Sequence, residues 1–527
     1  MNHLQFRKMS TIITKTLKNP AKSTLNNHNV NIFKPRKWFP IPIPHRSMPE
    51  PKGEDLDFIN IAHSHLINSD WSKLEKICSF INPFRLNHIL LKTQKDFVLS
   101  HGFFKWVALK NPSFVSLESS VIMVHILTKH RKFKSAELIL RGLIDSASGC
   151  LEFFDRLFDE IVSTYRVCDS SPRVFDSLFK TYAHLKKFRN ATDVYGRMKE
   201  YGFLPTIESC NALLSSLMSF DRVDIVFTFY GEMCRSRISP NVFTINMVMD
   251  ALCKGGKLER AVEMFKEMES MGCSPSIASF NTLIAGYCKS GLLSTAMKLK
   301  SAMEKKEIHP NVFTYNIILN CLCKERKLHE ASKLFHEMKT MEVSPNIVTY
   351  NTLVDGYCHE GNIEMGDRLF EEMLHKGVKP DIGTYNALIS GLCKEGKTKK
   401  AAFLVKELDR NKLVPNASTF NALITGQCAR KNSERAFLLY KSMISSGCHP
   451  NKSLLTMLIS TFLNNEDYDG AIYVLKEMLG KNFVPDPSIL SNLCTGLRCC
   501  GREQVAMDLC KEIEVRNLMP EGFREAL

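Results

Sequence analysis

Seven asparagines recur at one interval of 35 residues: Asn211, Asn246, Asn281, Asn316, Asn351, Asn386 and Asn421. Thr456 and Ser491 continue the same series. Thirty residues after each member comes a second series: Asn241, Ser276, Asn311, Asn346, Asp381, Asn416, Asn451 and Asp486. A side-chain amide offers a donor and an acceptor together, which suits the edge of a nucleobase. Asn is a mediocre helix former, so seven in register need a cause. The competing cause is satisfaction of free N–H groups at a helix start. Capping explains the residue type but accounts less well for the paired variation in the second series, and base contact is the favoured expectation.

Other chemistry-bearing residues keep the same interval. Lys254, Lys289, Lys324 and Lys394 share one register position, with His359 and Ala429 as exceptions. Such a row could line up against phosphates, and a lysine in the last turn of a helix also complements its dipole. Cys253, Cys288, Cys323, Cys358, Cys393 and Cys428 recur likewise, without a C-x-x-C pair facing a second ligand pair. A small soft residue at one repeated position reads as packing, and the cysteine usage reads as reduced and intracellular. The repeated Met268, Met303, Met338, Met373, Met443 and Met478 read as core. No P-loop, no H-x-E followed by P-C-x-x-C and no nuclease-type carboxylate cluster is present. No enzymatic activity, cofactor or metal is therefore expected.

The elements that must position these residues repeat too. Pro205, Pro240, Pro275, Pro310, Pro345, Pro380, Pro415, Pro450, Pro485 and Pro520 are each 35 residues apart. A strict period in this range marks a solenoid, in which each unit buries its apolar face against its neighbours. In the unit 312–346, Tyr315, Ile318, Leu319 and Leu322 form one helical stripe, and Leu328, Ala331, Leu334, Phe335 and Met338 form a second. Between them sister units carry Gly256, Gly291, Gly361 and Gly396, a helix stop. Each unit is thus expected to be a helical hairpin in an all-α, right-handed solenoid superhelix. Ten units run from 172 to 521, beginning at 172, 207, 242, 277, 312, 347, 382, 417, 452 and 487; positions are numbered 1–35 within each. The hydroxyls at position 3 (Ser209, Thr244, Ser279, Thr314, Thr349, Thr384, Thr419) are expected to cap the first helix. Alanine at position 20, with Gly366 as exception, permits close helix approach. An eroded unit is expected at 117–151, an insertion or extra helix at 152–171, less regular hairpins from 51, and a short tail at 522–527.

The chain carries 70 basic and 55 acidic residues, a net charge of +15. Residues 1–49 hold nine of the basic side chains and no acid, leaving 61 against 55 elsewhere, so global charge is weak evidence for nucleic acid. The leader is Ser/Thr-rich, can place Leu4, Met9, Ile12, Ile13 and Leu17 near one helical face, and lacks a secretory apolar core. This is the profile of an organellar transit peptide over residues 1–50, ending in a Pro-rich linker. Its arginines favour a mitochondrial destination, with the chloroplast as alternative. No apolar run approaches the ~18 residues of a membrane span, and no membrane partner is expected.

The units T-Y-N-x-L-x-x-G-x-C-K-x-G-K and A-x-x-L-F-x-E-M, closing in K-P-D or S-P-N, resemble the pentatricopeptide repeat family in its pure 35-residue form. The resemblance covers 172–521 strongly and 117–151 weakly. It implies a superhelix that binds single-stranded organellar RNA one repeat per base, with positions 5 and 35 reading the base. It implies pyrimidines for Asn211/Asn241, Asn281/Asn311, Asn316/Asn346, Asn386/Asn416 and Asn421/Asn451, C for Asn246/Ser276, U for Asn351/Asp381 and G for Thr456/Asp486. The implied site is 5′-YCYYUYYG-3′, Y being a pyrimidine. Asp176/Thr206 and Ser491/Glu521 depart from the pattern. It further implies base stacking on position 2, here Phe243, Phe313 and Val348, although Glu208, Gly383 and Ser418 are poorer platforms, and phosphate near the position-13 lysines. RNA processing, intron splicing, stabilisation or translation would follow from occupancy, alone or with other RNA-processing factors. The rival reading is a protein-binding helical scaffold, against which stand the period of 35 and the missing W-L-G-Y signature of tetratricopeptide arrays.

Overall fold

A computed structural model describes residues 40–44, 46–147 and 152–520. Among these lie 27 α-helices, two short 3₁₀ turns and no strand. The basic leader up to residue 39, Glu521 and the tail lie outside the described residues. From residue 207 onward every unit opens with a helix at positions 1–13, from Ile207–Ser219 to Pro487–Cys499. A second helix follows, as in Val223–Arg235, Leu328–Thr340 and Glu503–Val515. Helices Leu117–Lys129 and Phe133–Ser146 fall where the eroded unit is expected, and helix Phe153–Thr164 falls in the inserted stretch.

The boundaries have local causes, and one differs from the sequence expectation. The N-cap is the position-35 residue of the preceding unit, not the position-3 hydroxyl. Asn241 Oδ1 accepts from Thr244 N at 2.9 Å, while Thr244 Oγ1 accepts from Asn241 N at 3.3 Å. This reciprocal capping box recurs at Asn311, Asn346, Asp381 and Asn416. The position-35 residue is itself extended, as Asn241 with φ −105° and ψ 175°, so the first turn begins after it and the hydroxyl falls at N3. Helix ends are set by left-handed residues at positions 15 and 31. Gly256 has φ 73° and Arg326, at the same position, has φ 60°. The Lys257 N–H then reaches back to Leu252 O at 2.8 Å, closing the helix end.

Contacts divide the chain into two compact units, 1–279 and 280–527. In 280–527, Tyr315, Leu319, Ala331 and Met338 are buried with their equivalents Tyr350, Val354 and Met373. The repeated methionines at position 27 are all buried, as expected. The repeated cysteines are packing groups: a Cβ on Gly391 would lie 2.7 Å from Cys358 Cβ, and one on Gly426 would lie 2.6 Å from Cys393 Cβ. Cys323, Cys358 and Cys393 thus seat on position-10 glycines of the next unit, whereas Cys288 meets Cys321 and Cys428 meets Thr461 at that position. Burial pushes the Cys393 thiol up to about 11 and Cys358 to about 12, so both stay protonated.

In 40–279, the inserted helix and its flanks are held by Tyr165, Phe175 and Phe203, whose ring centroids lie 5.6–5.8 Å apart. His125 is buried between Ser170 Oγ at 2.7 Å and Thr164 Oγ1 at 3.0 Å, and burial lowers its pKa to about 3. The described part of the Pro-rich linker packs on this unit. Ile41 N donates to Glu200 O at 2.8 Å, and Arg46 pairs with Glu160 at 3.4 Å and Glu118 at 3.7 Å.

Because Gly426 meets backbone-proximal atoms of Cys393, Gly426→Ala should destabilise by about 1–3 kcal/mol. Gly480 is helical with nothing within 4 Å of its Cβ site. Gly480→Ala should therefore be neutral or stabilising by up to about 1 kcal/mol. Thermal melts of both variants check the contrast, and equal effects would refute this account of the junction.

Candidate nucleic-acid interface

Position 5 lies in the second turn of each first helix, facing the cap of the following unit. Asn211 Nδ2 donates to Asn241 Oδ1 at 3.3 Å, and Thr244 Oγ1 donates to Asn211 Oδ1 at 2.7 Å. The arrangement recurs in the other unit. Asn316 donates to Asn346 at 3.2 Å, Asn351 to Asp381 at 3.0 Å and Asn386 to Asn416 at 3.1 Å. Thr349, Thr384 and Thr419 donate to the corresponding Oδ1 atoms at 2.7, 2.5 and 2.6 Å. Thr314 does the same for Asn281 at 2.8 Å.

The donor directions follow from chemistry at Asn351. Burial raises the Asp381 pKa, but Thr384 N–H, the Asn351 amide and the Thr384 hydroxyl outweigh it, so the pKa lies below the usual carboxylate value. An ionised carboxylate only accepts, so Asn351 must turn its nitrogen toward Asp381. Thr384 Oγ1 accepts from Asp381 N at 3.2 Å, and its single proton is shared between Asn351 Oδ1 at 2.5 Å and Asp381 Oδ1 at 3.2 Å, with the shorter contact to Asn351. The carbonyl of each such amide is consumed inside the protein, and one of two N–H bonds is spent on position 35. The second N–H is left for the groove.

That groove runs along the first helices of successive units. Asn351 and Thr352 line it with Asn320, Lys324 and Asp355, and Asn386 and Asn421 line its continuation with Ser390, Lys394 and Ser418. Phe313 and Val348 stand at its edge, 62% and 52% exposed, and in the other unit Phe243 is 57% exposed. All four position-13 lysines are exposed and end their helices. Lys254 also pairs with Asp250 at 3.0 Å.

Other expected pairs are built differently. The Oδ1 atoms of Asn246 and Asn421 are buried without a partner. After Asn421 the position-3 residue is Leu454, which has no hydroxyl, although its N–H still reaches Asn451 Oδ1 at 2.9 Å. After Asn246 it is Ser279, whose Oγ lies 3.2 Å from Ser276 Oγ and accepts from Ser276 N at 3.1 Å. The Thr456 hydroxyl is buried without a partner, while Asp486 pairs with Lys452 at 2.8 Å instead of capping its helix. Asp176 reverses the usual polarity: its carboxylate accepts from Thr206 N at 2.7 Å and from the Thr206 hydroxyl. Burial pushes its pKa up against those donors.

Of the two causes weighed for the asparagine series, capping belongs to position 35 and not to position 5, whose amide is instead held by the cap. The role that sequence reasoning missed is that of the position-3 hydroxyl. The pattern N-x-x-T across each unit junction, as in Asn241–Thr244, carried the signal.

Comparison with known proteins agrees with this architecture. The PPR repeat family profile matches 205–254, 240–280, 275–324, 310–359, 345–394, 380–429 and 415–453. A pentatricopeptide repeat domain profile matches 173–219, and a PPR repeat profile matches 453–483. A mitochondrial pentatricopeptide repeat-containing protein of Arabidopsis thaliana is 56% identical over 204 residues, 39% of each chain. Another Arabidopsis thaliana pentatricopeptide repeat-containing protein is 31% identical over 153 residues, 28% of this chain and 20% of that one. The alignments thus span well under half the length of these relatives. The crystal structure of the maize pentatricopeptide repeat protein PPR10 superposes with a TM-score of 0.50 at 20% identity, covering 88% of this chain and 74% of that one. With its hairpins, junctions and repeat profiles in agreement from residue 173 to 483, the chain belongs to the pentatricopeptide repeat family.

Proposed function

We propose that this chain binds a single-stranded organellar RNA in a sequence-specific manner, one unit to one base, and acts by occupying it. The observation that carries the proposal is the row of regular position-5 amides Asn316, Asn351 and Asn386, each with its carbonyl satisfied within the protein and one N–H unspent along the groove of 280–527. A donor held in one orientation at a fixed repeat suits an acceptor on a base edge. Exposed Phe243, Phe313 and Val348 supply faces on which bases can stack. Bound in this way, the array would block an exonuclease, hold an intron in a splicing-competent fold or open a ribosome site. The acid-free leader and the mitochondrial relative support a mitochondrial address. Residues 1–50 fused to a fluorescent protein should enter mitochondria, and plastid import would redirect the assignment.

The family's pairing of positions 5 and 35 assigns 5′-YCYYUYYG-3′ to units 207–486. A gel-shift series should show that an RNA of this sequence binds at least about tenfold tighter than its purine-rich complement, as base contacts worth about 1–3 kcal/mol each would produce. Equal affinity for the two would remove the base-reading role.

The lysines separate affinity from specificity. Replacing Lys254, Lys289, Lys324 and Lys394 by Gln should weaken binding to every RNA alike and flatten its salt dependence by up to ~0.7 per phosphate contact. A lower melting point with an unchanged salt slope would assign the lysines to helix ends alone.

A further inference from the structure

We propose that the position-3 hydroxyl of each unit is a positioning residue for base selection: it sets which face of the preceding unit's position-5 amide meets the RNA. The inference rests on the base-reading proposal above and deepens it. An amide's oxygen and nitrogen are nearly isosteric, so only its partners decide which is presented. At Asn211, Asn281, Asn316, Asn351 and Asn386 a threonine hydroxyl binds Oδ1 at 2.5–2.8 Å. Each of these hydroxyls also accepts from the N-cap N–H, so its proton is committed outward to acceptors. Turning the amide over would set N–H against that proton and carbonyl against the position-35 oxygen, so hydroxyl and cap together lock the orientation.

Asn246 and Asn421 lack the lock, and their buried Oδ1 atoms have no partner. Leu454 stands where the threonine would be and keeps the backbone geometry, since its N–H bonds Asn451 as Thr349 N bonds Asn346. An unlocked amide can present either its N–H or its carbonyl, and so accepts bases whose edges offer an acceptor or an amino group. The array should accordingly read strictly at locked units and loosely at 242–276 and 417–451.

The test measures fluorescence anisotropy with RNAs of the proposed site in which all four bases are placed in turn opposite Asn316/Asn346 and opposite Asn421/Asn451. In the unaltered chain the spread in affinity should be at least about threefold wider at Asn316. Thr349→Val should narrow it there and nowhere else, while Thr349→Ser should preserve it. Leu454→Thr should widen the spread at Asn421, and Leu454→Val, of the same shape without the hydroxyl, should not. A spread at Asn316 that survives Thr349→Val, or an equal affinity loss for all four bases, overturns the lock. Should Thr349→Val fail to fold, identical spreads for Leu454→Thr and Leu454→Val overturn it equally. No spread at either site in the unaltered chain instead overturns the base-reading proposal itself.

Discussion

Each regular junction between units turns on one hydroxyl proton. Thr349 accepts from the N–H that begins its own helix and donates to the amide of the unit before. The same few atoms therefore start a helix, set the register between neighbours and orient the side chain that faces the groove. A buried amide carbonyl left without this donor would lose a hydrogen bond in a dry setting, a cost of about 1–3 kcal/mol. Helix capping, repeat stacking and surface chemistry are thus coupled at a single point, and a substitution there cannot alter only one of them.

Stability in such a chain is a sum of unit and junction terms. The junctions combine apolar and polar contacts. Cys358 and Cys393 fill the space above glycines where a methyl group would collide, which brings first helices close together. On the second helices, Lys300 is almost fully buried between Glu304 at 2.8 Å and Glu337 at 2.5 Å, and Tyr315 also reaches Glu337 at 3.2 Å. A buried lysine so placed has its charge matched by two carboxylates, and removing one partner would be more harmful than replacing the set. Small residues let the helices approach, and paired charges keep the approach in register.

The same economy shapes the groove. Most of the polar capacity of the position-5 and position-35 side chains is already spent within the protein. What remains is narrow: one N–H per regular unit, beside an exposed Phe313 or Val348 in two of them. Units that depart from the pattern depart in what they offer. Asp176 presents a carboxylate that is taken up by Thr206, and Asp486 answers Lys452 in place of a cap. A surface built this way draws its selectivity from what each unit withholds as much as from what it exposes.

The amino-acid sequence by itself determined the architecture. A period of 35 with its prolines, glycines and alternating apolar stripes admits only helical hairpins stacked on one another, because each half-buried helix must find the same partner at the same interval. It also marked the asparagines, the exposed position-2 edges and the packing role of the cysteines, since these depend on register alone. Register could not assign the cap. Position 35 and the next unit's position 3 lie three residues apart along the chain, as Asn346 and Thr349, and both are residue types that cap helices. The choice between them depends on which side chain reaches the free N–H groups of the first turn and on which amide of the previous unit lies within reach. Those are distances between segments 30–33 residues apart, and only the tertiary structure brings Thr349, Asn346 and Asn316 to one point.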